Sequence, residues 1–252
     1  MKIKYFDFNN YSENYDALER SKSNVTDQEN KLIHRIFQRK KVVSVYDASC
    51  GTGAQTIFLA KKGYKIKGAD LSQKMLEIAR KKSHNFSIEY IQRDMRDPIK
   101  GKYDAILSIY NSIGHLSKIE FKKVVKNSYN SLERNGIFIF DIFNLAFMRE
   151  KFIAHEFIDV SREVDNIKYV RFNHNTLDQK EGIMHISQRL LVQKGHAPFT
   201  TTHNEWDMQI YAPQQLNEFL MSAGFKKVQF YDEAGKEFDE NKSISIFVVA
   251  EK

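Results

Sequence analysis

The sequence predicts an α/β fold, a parallel sheet covered by helices on both faces and interrupted by an antiparallel, β-rich insertion. Three observations carry that expectation. Between Val42 and Phe143, short runs rich in β-branched and aromatic residues alternate with amphipathic helices. From Glu156 to Tyr211 the composition shifts to Thr, Tyr, Ile and Val, with turn signals at Asp165-Asn166, Lys180-Glu181-Gly182 and Lys194-Gly195. The 252 residues, 42% hydrophobic and 13% aromatic, suffice for one sizeable core.

The elements follow in order. Thr26 and Glu29 have capping-box spacing before a helix that carries Leu32, Ile33, Ile36 and Phe37 on one stripe. VVSVYDAS is a buried strand, TIFLAKKG a short helix ending at Gly63, and YKIKGAD the second strand. SQKMLEIARKK is a helix capped by Ser72 with Met75, Leu76, Ile78 and Ala79 on one side. SIEYIQ and YDAILSI are strands, a helix follows with Phe121, Val124, Val125, Tyr129 and Leu132 on one face, and GIFIFDIF is the fifth strand. After the insertion, PQQLNEFLMSAGF is a helix, and VQFYD and ISIFVVAEK can close the sheet edge as an antiparallel pair. The expected division is 1–40 for an N-terminal lid and helix, 41–145 with 210–252 for the main α/β unit, and 146–209 for the insertion on the substrate side.

The loop DASCGTGAQT joins the first strand to the next helix, where α/β sheets bind ligands. It is not a P-loop, because Gly53 is followed by Ala54-Gln55 in place of Lys and a hydroxyl residue. Asp47 would repel a pyrophosphate and suits a cationic amino group. Asp70 ends the second strand nineteen residues after Gly51, and its carboxylate can accept from vicinal ribose hydroxyls. Asp94 follows the third strand, so three strand ends present acids at one edge of the sheet. An ammonium group, a ribose and an exocyclic adenine amine would use all three. Cys50 has neither a histidine beside it nor other metal ligands, which makes it a small buried side chain.

From about Tyr15 onward the chain resembles the class I S-adenosylmethionine (SAM)-dependent methyltransferases. VYDASCGTG resembles their first motif, GADLS the ribose-binding second, and QRDMRD the adenine-contacting third. The resemblance implies a Rossmann-like seven-stranded methyltransferase sheet, with SAM as cofactor and the insertion after the fifth strand. It also implies a cofactor wall of Tyr15, Asp47, Ala48, Gly51, Gly53, Asp70, Leu71, Met75, Asp94, Met95 and Ile109. Within it Asp70 would hold the ribose, Asp94 the adenine amine and the Met95 amide the ring.

Acceptor chemistry is expected after the fourth strand, in ILSIYNSIGHLSK. Asp94 to Asp97 and Ser112 to Leu116 resemble the N-methyltransferases of nucleotide-linked amino sugars, and the Asn-Ser and His-Leu pairs resemble glycine and sarcosine N-methyltransferases. Phe143 stands where the glycine enzymes carry an arginine that clamps the substrate carboxylate. His115 is the candidate base or hydrogen-bond orienter, with an unperturbed pKa of about 6.5, and Asn111 the candidate substrate hydrogen-bonder. Tyr11 and Tyr15, in a mobile segment, could form a lid over a sulfonium. His174, His185, His196 and His203 lack metal-ligand spacing, and no metal is expected.

Composition bounds the remaining choices. The formal charge of +7 lies in scattered lysine doublets, which points to a solvated basic surface; an RNA methyltransferase and a non-catalytic SAM-binding partner are the alternatives. One cysteine, no apolar leader and no run of ~18 apolar residues lead to the expectation of a soluble cytoplasmic enzyme. Its expected partner is a small-molecule acceptor, without nucleic acid or membrane, and a homodimer is compatible with the sequence.

Overall fold

The computed structural model describes residues 3–19 and 23–252. Helix α1 (Phe8–Glu19) precedes α2 (Ser23–Lys40). The repeat then runs β1 (Ser44–Asp47), α3 (Ala54–Lys61), β2 (Lys65–Asp70), α4 (Gln73–Lys82), β3 (Glu89–Gln92), β4 (Tyr103–Ser108), α5 (Lys118–Ser131) and β5 (Leu132–Phe143). A short α6 (Leu145–Lys151) leads to β6 (Glu156–Val164), β7 (Ile167–Asp178), β8 (Ile183–Lys194) and β9 (Thr200–Gln209). Helix α7 (Pro213–Ser222), β10 (Lys227–Tyr231) and β11 (Ser245–Glu251) complete the chain.

Seven strands form one sheet in the order β10-β11-β5-β4-β1-β2-β3, and β6 to β9 form a separate antiparallel sheet. Strands β1 to β5 are parallel, and β11 runs antiparallel to both of its neighbours. The last two strands pair as expected, but β11 lies inside the sheet and only β10 is at its edge. Period-two alternation divides the central strands between two cores. Ala105, Leu107, Ile137, Ile139, Phe247 and Val249 pack with Leu32, Ile33, Ile36 and Phe37 of α2. Ile106, Phe138, Phe140, Ile246 and Val248 face the other side, against Phe121, Val124 and Val125 of α5 and Leu216 and Leu220 of α7. A sheet covered on both faces needs strands that are apolar throughout, as GIFIF is.

Local signals fix the helix ends. The Ser72 hydroxyl accepts from the Met75 N–H, and Ser117 with Glu120 forms a full capping box at α5. The Thr26–Glu29 spacing is not a helix start. Helix α2 begins at Ser23, which places Thr26 inside the helix, where its hydroxyl meets the Tyr110 hydroxyl. Leu132, expected on the α5 face, begins β5 and is buried in the same core.

The small sheet sits over the carboxyl ends of the large one. Leu145, Met184, Ile186, Met208 and Ile210 form its contact core. Met208 packs so closely on the 3₁₀ turn Ser112–His115 that a Cβ at Gly114 would fall 2.5 Å from its Cγ. Only glycine permits that approach.

Candidate active site

The loop after β1 is pinned by backbone bonds to both neighbouring strands. The Ala48 N–H donates to the Leu107 carbonyl and the Cys50 N–H to the Ala69 carbonyl, each at 2.9 Å. Gly51 takes a φ of 51°, in the left-handed region that favours glycine, and its N–H donates to Asp70 Oδ2 at 2.8 Å. The Ser72 N–H holds the other Asp70 oxygen at 2.9 Å. Burial raises the Asp70 pKa although these N–H groups oppose it.

Asp47 takes a different place from the one expected. It is 2% exposed beneath the loop, accepts from Thr56 Oγ1 at 3.0 Å, and does not line the cleft. Burial pushes its pKa to about 7. Gly53 likewise lies at the start of α3, off the wall. Cys50 is buried at the cleft floor with Leu76, Ala79 and Tyr90, and burial raises its thiol well above the ordinary value.

A cleft of about 330 Å³ opens over the loop. Tyr15, Ala48, Gly51, Asp70, Leu71 and Met75 line one part of it, and Asp94, Met95, Ile109 and His115 the rest of the expected set. At the β3 end Arg96 chelates Asp94, with Nε 2.9 and 3.0 Å from its two oxygens, and its Nη1 donates to Glu120 at 2.5 Å. The Tyr5 hydroxyl donates to the same glutamate at 2.9 Å. Burial alone would raise both acids; the Arg96 bonds bring Asp94 below its ordinary value, and those of Ser117, Arg96 and Tyr5 bring Glu120 to about 2.

The amino-terminal segment is a packed roof. Asp16 of α1 accepts from Thr52 Oγ1 at 2.7 Å and Lys82 Nζ at 2.9 Å, and the Ser72 hydroxyl donates to Asn9 Oδ1 at 2.7 Å. The Phe8 ring meets His115 edge-on at 5.1 Å. Tyr15 lines the cleft. Tyr11 does not, because its hydroxyl accepts from the buried Arg171 at 2.6 Å and binds α1 to the small sheet. Glu19 and Asp159 share that arginine.

The loop after β4 is strained. Tyr110 and Asn111 have φ of 67° and 53°, and each such non-glycine residue costs about 1 kcal/mol. Tyr110 faces the cleft. Asn111 does not; its N–H donates to Asp141 at 3.1 and 3.2 Å and its side-chain oxygen is buried without a hydrogen-bond partner. His115 lies on the wall with a buried, unpartnered Nδ1, and burial lowers its pKa to about 4. Motif reading missed Tyr5, Asp16, Lys82, Tyr110 and Glu120. Of these, only Glu120 had a local signal, the Ser117-to-Glu120 capping spacing.

The lining carries five carboxylates (Asp16, Glu19, Asp27, Asp70 and Asp94) against three cations (Lys82, Arg93 and Arg96). A cationic nucleoside fits that balance. Among the described residues no His, Cys, Asp and Glu group is placed to hold a metal ion, and no helix is long and apolar enough to cross a membrane. His185 bonds Asp207 at 2.6 Å on the small sheet, away from the cleft.

Residues 45–136 match the family model described as a methyltransferase domain, which spans the loop and all three acidic strand ends. A Bacillus subtilis protein named as a methyltransferase, YqeM, is 28% identical over 72% of this chain and 73% of its own. An N,N-dimethyltransferase of dTDP-3-amino-3,6-dideoxy-alpha-D-glucopyranose from Streptomyces fradiae is 36% identical over 31% of this chain and 30% of its own. The crystal structure of an S-adenosylmethionine-dependent methyltransferase from Clostridium acetobutylicum superposes with a TM-score of 0.81, at 21% identity over 97% of this chain and 98% of that one. A seven-stranded sheet, a glycine loop pinned to its second acid and a domain match that spans them mark this chain as an enzyme with a methyltransferase domain at residues 45–136.

Proposed function

We propose that the chain transfers a methyl group to the amine of a small polar acceptor of the nucleotide-linked amino-sugar class. The observation that carries this reading is the roofed cleft, in which a neutral His115 faces a space closed above by residues 5–19. A folded RNA would need an open groove, whereas a small amine fits beneath such a roof. Phe143 in place of a cationic clamp argues against a free amino acid. The amino sugar named as the substrate of the Streptomyces relative supports the sugar class.

The residues divide the work. Asp70 is assigned to the ribose hydroxyls and the Gly51 loop, with Ala48, to the methionine part. Leu71, Met75, Ile109 and Tyr15 supply the apolar wall. Met95 is assigned to the adenine ring and Asp94 to its amine, which would share the aspartate with Arg96. Bound SAM supplies an electrophilic methyl group on a sulfonium.

With its pKa at about 4, His115 is uncharged at neutral pH and a weak proton acceptor. The role as base gives way to the role as orienter, in which a ring nitrogen accepts an N–H of the acceptor and aims its lone pair. Asn111 lies off the cleft lining and is not assigned that role. Beneath the roof, alignment is the main contribution of the site, worth up to ~7–11 kcal/mol in the best intramolecular cases.

The test is methyl transfer from labelled SAM to four acceptors: a thymidine-diphosphate-linked 3-amino sugar, glycine, sarcosine and bulk RNA. Turnover on the amino sugar is expected to exceed the others by at least about 100-fold. Preference for glycine or RNA would overturn the acceptor class. Retained SAM binding with no turnover on any of the four would favour a non-catalytic partner.

A further inference from the structure

The turn after β4 is the most strained stretch of the cleft wall, and a side chain with a Cβ resists each of its two left-handed positions. Strain of this kind persists only where the surroundings over-determine it. Here the restraint comes from the next strand of the sheet. Asp141, 5% exposed in β5, accepts the Asn111 N–H with both oxygens. Downstream, the Gly114 N–H donates to the Asn111 carbonyl at 2.8 Å and the Leu116 N–H to the Ile113 carbonyl at 3.1 Å, so the 3₁₀ turn is built on Asn111. This reversal turns the Asn111 side chain off the wall and brings both Tyr110 and His115 onto it.

We infer that Asp141 is a positioning residue for methyl transfer: its side-chain oxygens hold the strained Tyr110-Asn111 turn and, through that turn, set the His115 ring on the acceptor wall. The inference rests on the proposed role of His115. It gives a structural reason for an acid in the middle of a strand whose neighbours are apolar, at a position outside the cleft lining.

The test follows the His115 ring without any acceptor, by carbon-13 NMR of ring-labelled histidine, with its resonance assigned by its loss in His115→Gln. Asp141→Asn keeps an acceptor oxygen, and Asp141→Leu has similar bulk and none. The His115 midpoint is expected to stay at about 4 in the wild type and in Asp141→Asn. In Asp141→Leu it is expected to rise by at least about one pH unit toward 6.5 as the ring leaves its site. Adding Asn111→Gly, which removes the left-handed penalty, is expected to reverse that rise. Calorimetric SAM affinity should stay within about twofold throughout, because Asp70 and the Gly51 loop are untouched.

An unchanged midpoint in Asp141→Leu, equal shifts in the Asn and Leu variants, no reversal by glycine, or a parallel loss of SAM affinity would overturn the inference. Should Asp141→Leu fail to fold, Asn111→Ala keeps the N–H donor and raises the strain that the bond must hold. Alanine resists the left-handed region more than asparagine does, so a rise is again expected, and its absence would overturn the inference. Failure of the acceptor assignment would appear in the methyl-transfer panel and leave these titrations unchanged.

Discussion

The carboxyl of Asp47 makes the fold itself respond to pH. Its folded pKa, about 7, lies above the ordinary value of 3.8 because burial disfavours the charge. The native state therefore keeps a proton that the unfolded chain releases. The associated stability is complete below about pH 4 and is lost as pH rises to about 7, by at most about 4 kcal/mol for a shift of this size. His115 acts in the opposite sense: its pKa of about 4 lies below 6.5, so falling pH through that window favours the unfolded chain. Asp47→Asn cannot ionise and still offers Thr56 an oxygen. Its melting temperature minus that of the wild type is expected to be near zero at pH 4, to widen through pH 7, and to stay at about 5 °C or more at pH 8. A difference independent of pH would rule out a titrating Asp47.

Among the elements, α1 has a polar underside in contact with the glycine loop and α4. The Asp16 clasp to Thr52 and Lys82 is partly exposed and adds little stability, but it sits over the cofactor end of the cleft. Asp16→Ala is expected to speed SAM dissociation about 5–10-fold by stopped flow and to lower the melting temperature by no more than about 3 °C. An unchanged off-rate would mean that α1 does not gate the site. This helix was the element least legible in the sequence. FNNYSENYDALE has no regular apolar stripe, and Tyr11, Leu18 and Arg171 become its anchors only once β6 to β9 are in place. The strands and helices of the main sheet were legible from local periodicity, but the place of β11 inside the sheet was not, because pairing with β5 is a long-range contact. Asp70 and Asp94 were legible from spacing, and they line the cleft. Asp47 was placed on the wall because sequence shows the end of a strand, but not the Thr56 hydroxyl turned toward it from α3. Asn111 was misplaced for a similar reason: the left-handed turn that rotates it depends on an acid thirty residues away.

For the molecule as a whole, cofactor binding and folding are linked. The loop, α4 and the roof meet around one cleft, so SAM at 100 times its Kd adds about 2.7 kcal/mol to stability. For a chain of this length that corresponds to a rise of about 5–10 °C in melting temperature. Asp70→Ala is expected to abolish most of the rise at the same SAM concentration, since it removes the proposed ribose acceptor and frees the Gly51 and Ser72 N–H groups. An equal rise in the variant would remove Asp70 from the binding site.

The position of β11 has a kinetic consequence. It pairs with β5 along Ile137 to Phe143, across about a hundred residues that include the whole antiparallel sheet. Until that long loop closes, the edge of β5 stays bare, and GIFIFDIF is an apolar template for any other chain in solution. The small sheet and α7 must be made before the protecting strand emerges from the ribosome. Aggregation during synthesis is thus concentrated on β5, and the interval between its emergence and the arrival of β11 sets how long the nascent chain needs shelter.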